Sequence, residues 1–204
     1  MAQRTSEYER IPGDLYVTPD WAYRSLIAVE PWASTAWDCC PVNSEFDFLE
    51  CSASPRYIAT NPPFNISENI IRHALELTKP HGGAVAMLLP HAWDCAKRRV
   101  DLFKAPPFKR KWAITRRIRW ANLPQKTAGP SMNHSWFIWD HQHMGPATMR
   151  WLDGHEVAAS PVPSLRGSAL DGGIDLRRSP RLTMNRRGRP SRFLWPCVTP
   201  NHQT

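Results

Sequence analysis

Asn61-Pro62-Pro63-Phe64 is the stretch of this chain whose residue types could do chemistry. A carboxamide, two prolines and an aromatic ring follow the short apolar run Arg56-Tyr57-Ile58-Ala59-Thr60. The prolines fix φ and stiffen the turn. The residue before each proline is pushed out of the α region, so Asn61 and Pro62 are held extended. The Asn61 side-chain oxygen and the Pro62 carbonyl can then point at one spot. Two convergent acceptors beside an aromatic face suit a flat ring carrying an exocyclic amino group. A plain Pro-Pro turn between strand and helix uses the same residues, so the flanking elements decide the meaning.

Those elements read as a βαβ unit. Ser67 is a candidate N-cap with Glu68 in the first turn. Ile70, Ile71, Ala74, Leu75 and Thr78 give a helical apolar stripe, and Pro80, Gly82 and Gly83 end it. Ala84-Val85-Ala86-Met87-Leu88-Leu89 has the continuous apolar character of a buried parallel strand. The tetrapeptide therefore falls at the carboxyl end of the first strand, where open α/β sheets bind ligands. Upstream, Thr18 reads as N-cap and Pro19 as first residue of a helix over Trp21 to Glu30. Downstream, the pattern predicts a helix over Ala92 to Phe103 and a strand over Lys111 to Arg119. A loop over Asn122 to Asn133 follows, then a buried strand around Trp136-Phe137-Ile138-Trp139 and a last strand at Met149 to Leu152.

Thr60-Asn61-Pro62-Pro63-Phe64 resembles the catalytic motif of the S-adenosyl-L-methionine-dependent amino-methyltransferases, chiefly the phage-type N6-adenine DNA methyltransferases. The resemblance implies that Asn61 and Pro62 accept the two amino protons, that Pro63 stiffens the loop and that Phe64 stacks on a flipped base. The chemistry is coherent. An aromatic amine is a poor nucleophile, and preorganised acceptors on its protons favour the pyramidal nitrogen that attacks a methyl group. A base inside a duplex must be flipped out to be reached. In-line attack needs no covalent intermediate, and no metal is implied. Tyr16-Val17-Thr18-Pro19 resembles the segment that contacts the methionine end of the cofactor, which implicates Thr18 and Pro19. Glu45-Phe46-Asp47-Phe48-Leu49 resembles the acidic segment at the cofactor adenine, which implicates Asp47 and Phe48; taken alone, Asp47 reads as a solvated loop acid. Arg117-Ile118-Arg119-Trp120 and His134-Ser135-Trp136-Phe137-Ile138-Trp139-Asp140 resemble late strands of the same family. The resemblance runs from about Tyr16 to Leu152 and implies an α/β, Rossmann-like class I methyltransferase fold. Related loops serve other planar amines: RNA guanine, cytosine N4 and the glutamine amide.

One part of the family pattern is missing. Family members carry a glycine-rich turn where the backbone passes close to the cofactor, a role that only glycine fills. This chain has no glycine between Gly13 and Gly82. Trp37-Asp38-Cys39-Cys40-Pro41 resembles the start of that segment, with Asp38 at its acidic position. A βαβ unit needs about 30 residues, and Val42 to Glu45 cannot hold a helix and a second strand. The expected sheet is therefore incomplete in its cofactor half. Either the cofactor is held by fewer contacts, or activity is lost and the chain is a non-catalytic nucleic-acid-binding remnant.

The 204 residues suffice for one catalytic domain over 1–153. Residues 154–204, rich in Arg and Pro, lack apolar periodicity and read as a disordered tail. Net charge is +8. The cations cluster in the order Arg98, Arg99, Lys109, Arg110, Lys111, Arg116, Arg117 and Arg119, interleaved with Trp93, Phe103, Phe108, Trp112 and Trp120. Singly they read as solvated cations over buried rings. Beside a base-handling motif, the stretch reads as a DNA-binding surface. The five cysteines form no CxxC pair, which argues against zinc and dithiol chemistry. No apolar run reaches the ~18 residues of a membrane span, and the N-terminus lacks a signal pattern, so a cytoplasmic location is expected.

Overall fold

Alternation of side chains across β-strands builds the architecture. A computed structural model describes residues 16–41, 47–104, 106–120 and 132–154. Five strands form one mixed sheet: β1 (Tyr57–Thr60), β2 (Ala84–Pro90), β3 (Phe108–Ile114), β4 (His134–Asp140) and β5 (Thr148–Leu152). Their order is β1-β2-β4-β3-β5. The β1–β2 and β3–β5 pairs are parallel, whereas β4 runs antiparallel between β2 and β3. Beyond β1 the described sheet continues only as a single bridge between Trp37 and Ile58.

The two faces of the sheet carry different cores. Ile58, Val85, Met87, Leu89, Phe137 and Trp139 point to one face and pack against helix α2 (Ser67–Thr78) through Ile70, Ile71 and Ala74. The alternate positions Ala59, Ala86, Leu88, Trp112, Trp136 and Ile138 point to the other face, against Ala22 and Leu26 of helix α1 (Asp20–Val29). Each large side chain taken fully out of water contributes about 1.5–3 kcal/mol. The result is an α/β sheet with a helix on each face.

The βαβ unit is present, since α2 links the parallel strands β1 and β2. Its apolar stripe lies where the periodicity places it, with Ile70, Ile71, Ala74 and Thr78 buried. Gly82 ends the segment in the left-handed region, at φ 54°. Other expectations are corrected. Pro19, not Thr18, holds the cap position of α1, and no side chain caps that end. Ser67 is the first residue inside α2; its hydroxyl turns back to the Phe64 carbonyl at 2.9 Å and accepts the indole N–H of Trp93 at 3.0 Å. Ala92 to Phe103 is not an α-helix but two 3-10 turns, Trp93–Cys95 and Lys97–Leu102. Only Trp93 and Leu102 of those turns are buried, so no continuous stripe pays for α-helical packing. The third strand starts at Phe108 and ends at Ile114, because Thr115, Arg116 and Arg117 turn to solvent. Val42 to Glu45, residues 122–131 of the expected loop and the tail beyond Gly154 lie outside the described residues. Among the described residues no helix is long and apolar enough to cross a membrane.

Candidate active site at the carboxyl edge of the sheet

Strands β1, β2, β3 and β5 end at one edge of the sheet, and β4 begins there. This edge gathers Asn61, His91, His134 and the segment after Ile114. Asn61 follows β1 directly and is buried. Its Nδ2 donates to the Tyr16 carbonyl at 3.0 Å, which fixes the amide orientation. The Oδ1 on the other side is buried and has no hydrogen-bond partner. A buried carbonyl oxygen left unpaired costs about 1–3 kcal/mol.

Asp38, at the Trp37 bridge, sits beside β1. Its carboxylate accepts the Thr60 hydroxyl at 2.6 Å, the Tyr23 hydroxyl at 3.0 Å and the Cys40 backbone N–H at 3.2 Å. Burial, then the adjacent Asp38, push the Tyr23 phenol well above its usual range, so it stays a neutral donor. Burial also pushes the Cys39 thiol up. The Cys39 and Cys40 sulfurs lie 3.7 Å apart. A pocket of about 170 Å³ opens here, lined by Tyr16, Val17, Thr18, Tyr23, Asp38, Cys40, Pro41 and Asn61. Asn61, Thr18 and Asp38, separated in sequence, thus share one wall. Pro19 stands next to it, with its carbonyl accepting the Ala22 N–H at 2.9 Å.

Asp47 and Phe48 do not line this pocket. The Asp47 carboxylate accepts the Leu49 N–H at 2.9 Å and caps a 3-10 turn over Phe48–Glu50. Phe48 is a core residue, its ring edge-on to Trp37 and His73 at 5.6 and 5.0 Å.

Phe64 is half-buried in an aromatic cluster. Tyr16 stacks on it with centroids 5.9 Å apart, and His134 lies 6.0 Å away. Trp120 contacts both Tyr16 and His134, at 5.3 and 5.0 Å. Sequence reasoning placed His134 in a strand without giving it a role. Its signal would have been a histidine opening an otherwise apolar strand. The residue is only 2% exposed, and neither ring nitrogen has a hydrogen-bond partner of ordinary geometry among the described residues. Burial holds its pKa down at about 4, with the Met132 backbone acting in the opposite sense. The unfolded chain therefore takes up a proton below about pH 6.5 that the folded chain refuses until about pH 4. This contribution to stability is intact above the unfolded pKa and is lost as pH falls, reaching about 3 kcal/mol. Urea unfolding at about pH 7 and about pH 4.5 should show that loss in the native chain and a smaller one in His134→Phe. Equal slopes would show that His134 is not the group responsible.

The basic stretch does not form one surface. Lys111 is buried, its ammonium held by the His91 carbonyl at 2.6 Å and by both Asp94 oxygens at 2.9 and 3.1 Å. It is not available to a phosphate in this arrangement, because a buried ammonium needs these partners to offset its desolvation. Burial and the Lys111 charge lower the pKa of His91, whose Nδ1 meets the Ser135 hydroxyl at 2.8 Å. Lys109 and Arg110 lie toward the opposite edge of the sheet, paired with Asp140 at 2.9 Å and Glu30 at 3.5 Å. Arg98 and Arg99 pair with Glu68 at the start of α2, and Arg99 lies 3.9 Å over the Trp93 ring. Arg116, Arg117 and Arg119 are exposed at the carboxyl edge, with Arg116 4.6 Å over Trp21. Of the interleaved rings, Trp93, Phe108 and Trp112 are buried and Phe103 packs among them, so they are core rather than stacking platforms. Trp120 alone joins the Phe64 cluster. No group of three or more metal-ligating side chains occurs among the described residues.

No protein-family model matches this chain, and no curated protein matches it in sequence.

Proposed function

We propose that this chain transfers a methyl group from S-adenosyl-L-methionine to adenine N6 in DNA, on a Rossmann-like methyltransferase sheet reduced in its cofactor half. The observation that carries this reading is the Asn61 amide. Its nitrogen is tied to the Tyr16 carbonyl and its oxygen is left without a partner, at the strand end where α/β sheets bind ligands. An acceptor fixed in place, three residues before the half-buried Phe64, suits an amino group on a flat ring, because it needs no reorganisation as charge develops on the nitrogen.

The residues present fit part of the cofactor. The carboxylate of Asp38, with Thr18 and Asn61 on the same wall, offers a negative field to the ammonium and sulfonium of a methionine-like moiety. Thr18, Pro19 and Asp38 would hold that end, and the bound cofactor would supply an electrophilic methyl group. At about 170 Å³ the pocket is smaller than the ~300 Å³ at which sites for drug-sized ligands begin. Asn61 and the Pro62 carbonyl would orient the amino protons, Pro63 would stiffen the loop, and Phe64 would hold the base. Arg116, Arg117 and Arg119 supply cations at the same edge for the phosphate backbone. The small pocket, and the engagement of Asp47 and Phe48 elsewhere, favour a second reading: a nucleic-acid-binding remnant without catalysis.

Calorimetry separates the two. Binding of S-adenosyl-L-methionine is the expected result, and no heat at millimolar cofactor would leave only the remnant. With cofactor bound, Asn61→Ala should lower methyl transfer to unmethylated duplex DNA by about 10²–10³-fold, the usual effect of removing one preorganised hydrogen-bonding group. Undiminished transfer would remove Asn61 from the mechanism.

A further inference from the structure

His134 is a buried polar side chain at this edge that the mechanism above does not use. Five buried side-chain atoms among the described residues lack a hydrogen-bond partner, and three of them are Asn61 Oδ1 and the two His134 ring nitrogens. Both residues stand at the carboxyl edge of the sheet, Asn61 after β1 and His134 at the start of β4. Asn61 lies three residues before Phe64, and the His134 ring lies 6.0 Å from that of Phe64 at an interplanar angle of 30°. Buried polar atoms are nearly always satisfied, and a group of exceptions asks for a missing partner. Tyr16 and Trp120 close the cluster with aromatic faces and provide none of the missing bonds.

We propose that His134 is a specificity-determining residue that donates its ring N–H to the ring nitrogen next to the amino group of a base held at Phe64. The proposal rests on the reading of this site as a base-binding site. A neutral imidazole carries one donor and one acceptor. Asn61 Oδ1 is an acceptor only. Together they match an edge that presents an amino donor beside a ring-nitrogen acceptor. Adenine presents that pair on two edges, through N1 and through N7. Cytosine presents it through N4 and N3, and guanine only on its sugar edge through N2 and N3; thymine has no amino group, and its carbonyl oxygens would face the Asn61 acceptor. The His134 nitrogens are out of reach of water in this arrangement, so a base meets them only once the neighbouring rings move aside, and the lowered imidazole pKa keeps the ring neutral near pH 7.

The test is cofactor-free binding of a single-stranded thymidine oligonucleotide carrying one adenine, measured by fluorescence anisotropy. Parallel strands carry 1-deazaadenine or 7-deazaadenine instead. In the native chain one of the two deaza bases should weaken binding about tenfold. His134→Phe, which keeps an aromatic ring in the cluster, should bind the adenine strand about as weakly and show no further deaza penalty. Thermal unfolding checks that this variant is folded. A native chain indifferent to both deaza bases, or a His134→Phe variant with the same deaza penalty, would overturn the proposal. The assay contains no cofactor. Failure to bind S-adenosyl-L-methionine would therefore end the methyl-transfer reading while leaving the base-edge contact standing.

Discussion

Gly83→Ala is expected to destabilise the chain by about 3 kcal/mol or more, lowering the melting temperature by roughly 6–12 °C. A Cβ at this position would overlap the Arg56 carbonyl, lying 2.8 Å from its carbon. The overlap is with backbone, so no rotamer relieves it. Relief requires β1 and β2 to separate at their starts, where the Ala84 N–H bonds the Arg56 carbonyl at 3.1 Å and the His141 N–H bonds the Gly83 carbonyl at 3.0 Å. Gly82→Ala is the control. Gly82 has the positive φ, but a Cβ there meets only the Gln142 side chain, at 3.4 Å or more. Its cost should be about 1 kcal/mol, the penalty for a non-glycine residue in that backbone region. Thermal unfolding of both variants tests the ranking. A Gly83→Ala cost no larger than that of Gly82→Ala would show that β1 and β2 do not approach as closely as described.

Trp136→Ala should cost about 3–5 kcal/mol, within the range for a large buried aromatic. Trp136 is fully buried on the α1 face, pairs with Leu88 and Trp112 across the sheet, and donates its indole N–H to the Ala22 carbonyl at 3.2 Å. Trp136→Phe should cost less, about 1–2 kcal/mol, for lost volume and one lost hydrogen bond, since the Ala22 carbonyl keeps the Ser25 hydroxyl at 2.8 Å. The effect should also reach the site. The Trp136 ring backs Tyr23 at 5.4 Å, and Tyr23 holds Asp38. Denaturant titration measures the stability loss. If Trp136→Ala and Trp136→Phe lose the same amount, the hydrogen bond rather than the volume dominates.

These expectations rest on different kinds of legibility. The βαβ unit was readable because its information is local: an apolar stripe at helical spacing, glycines after it and an unbroken apolar run. The buried strand around Trp136-Phe137-Ile138-Trp139 was readable for the same reason. The stretch from Ala92 to Phe103 misled, because short apolar anchors fit a helix and a pair of 3-10 turns equally well. Lys111 misled for a physical reason as well. Charge is visible in a sequence, but the buried partner that neutralises it is not, and Asp94 reaches Lys111 only through the return of β3 alongside β4.

By itself the sequence determined the position and stiffness of the Asn61-Pro62-Pro63-Phe64 loop, since proline restricts its neighbours wherever it stands. It also determined that Ala84 to Leu89 and Trp136 to Trp139 are buried strands, because an unbroken apolar run suits a strand covered on both faces. Only the tertiary structure decided that Tyr16 orients the Asn61 amide, that Asp38 and Thr18 share its pocket while Asp47 and Phe48 do not, and that His134 lies beside Phe64. Those facts depend on strand order. The edge where β1 ends and β4 begins brings together residues far apart in the chain, and no local pattern records that meeting.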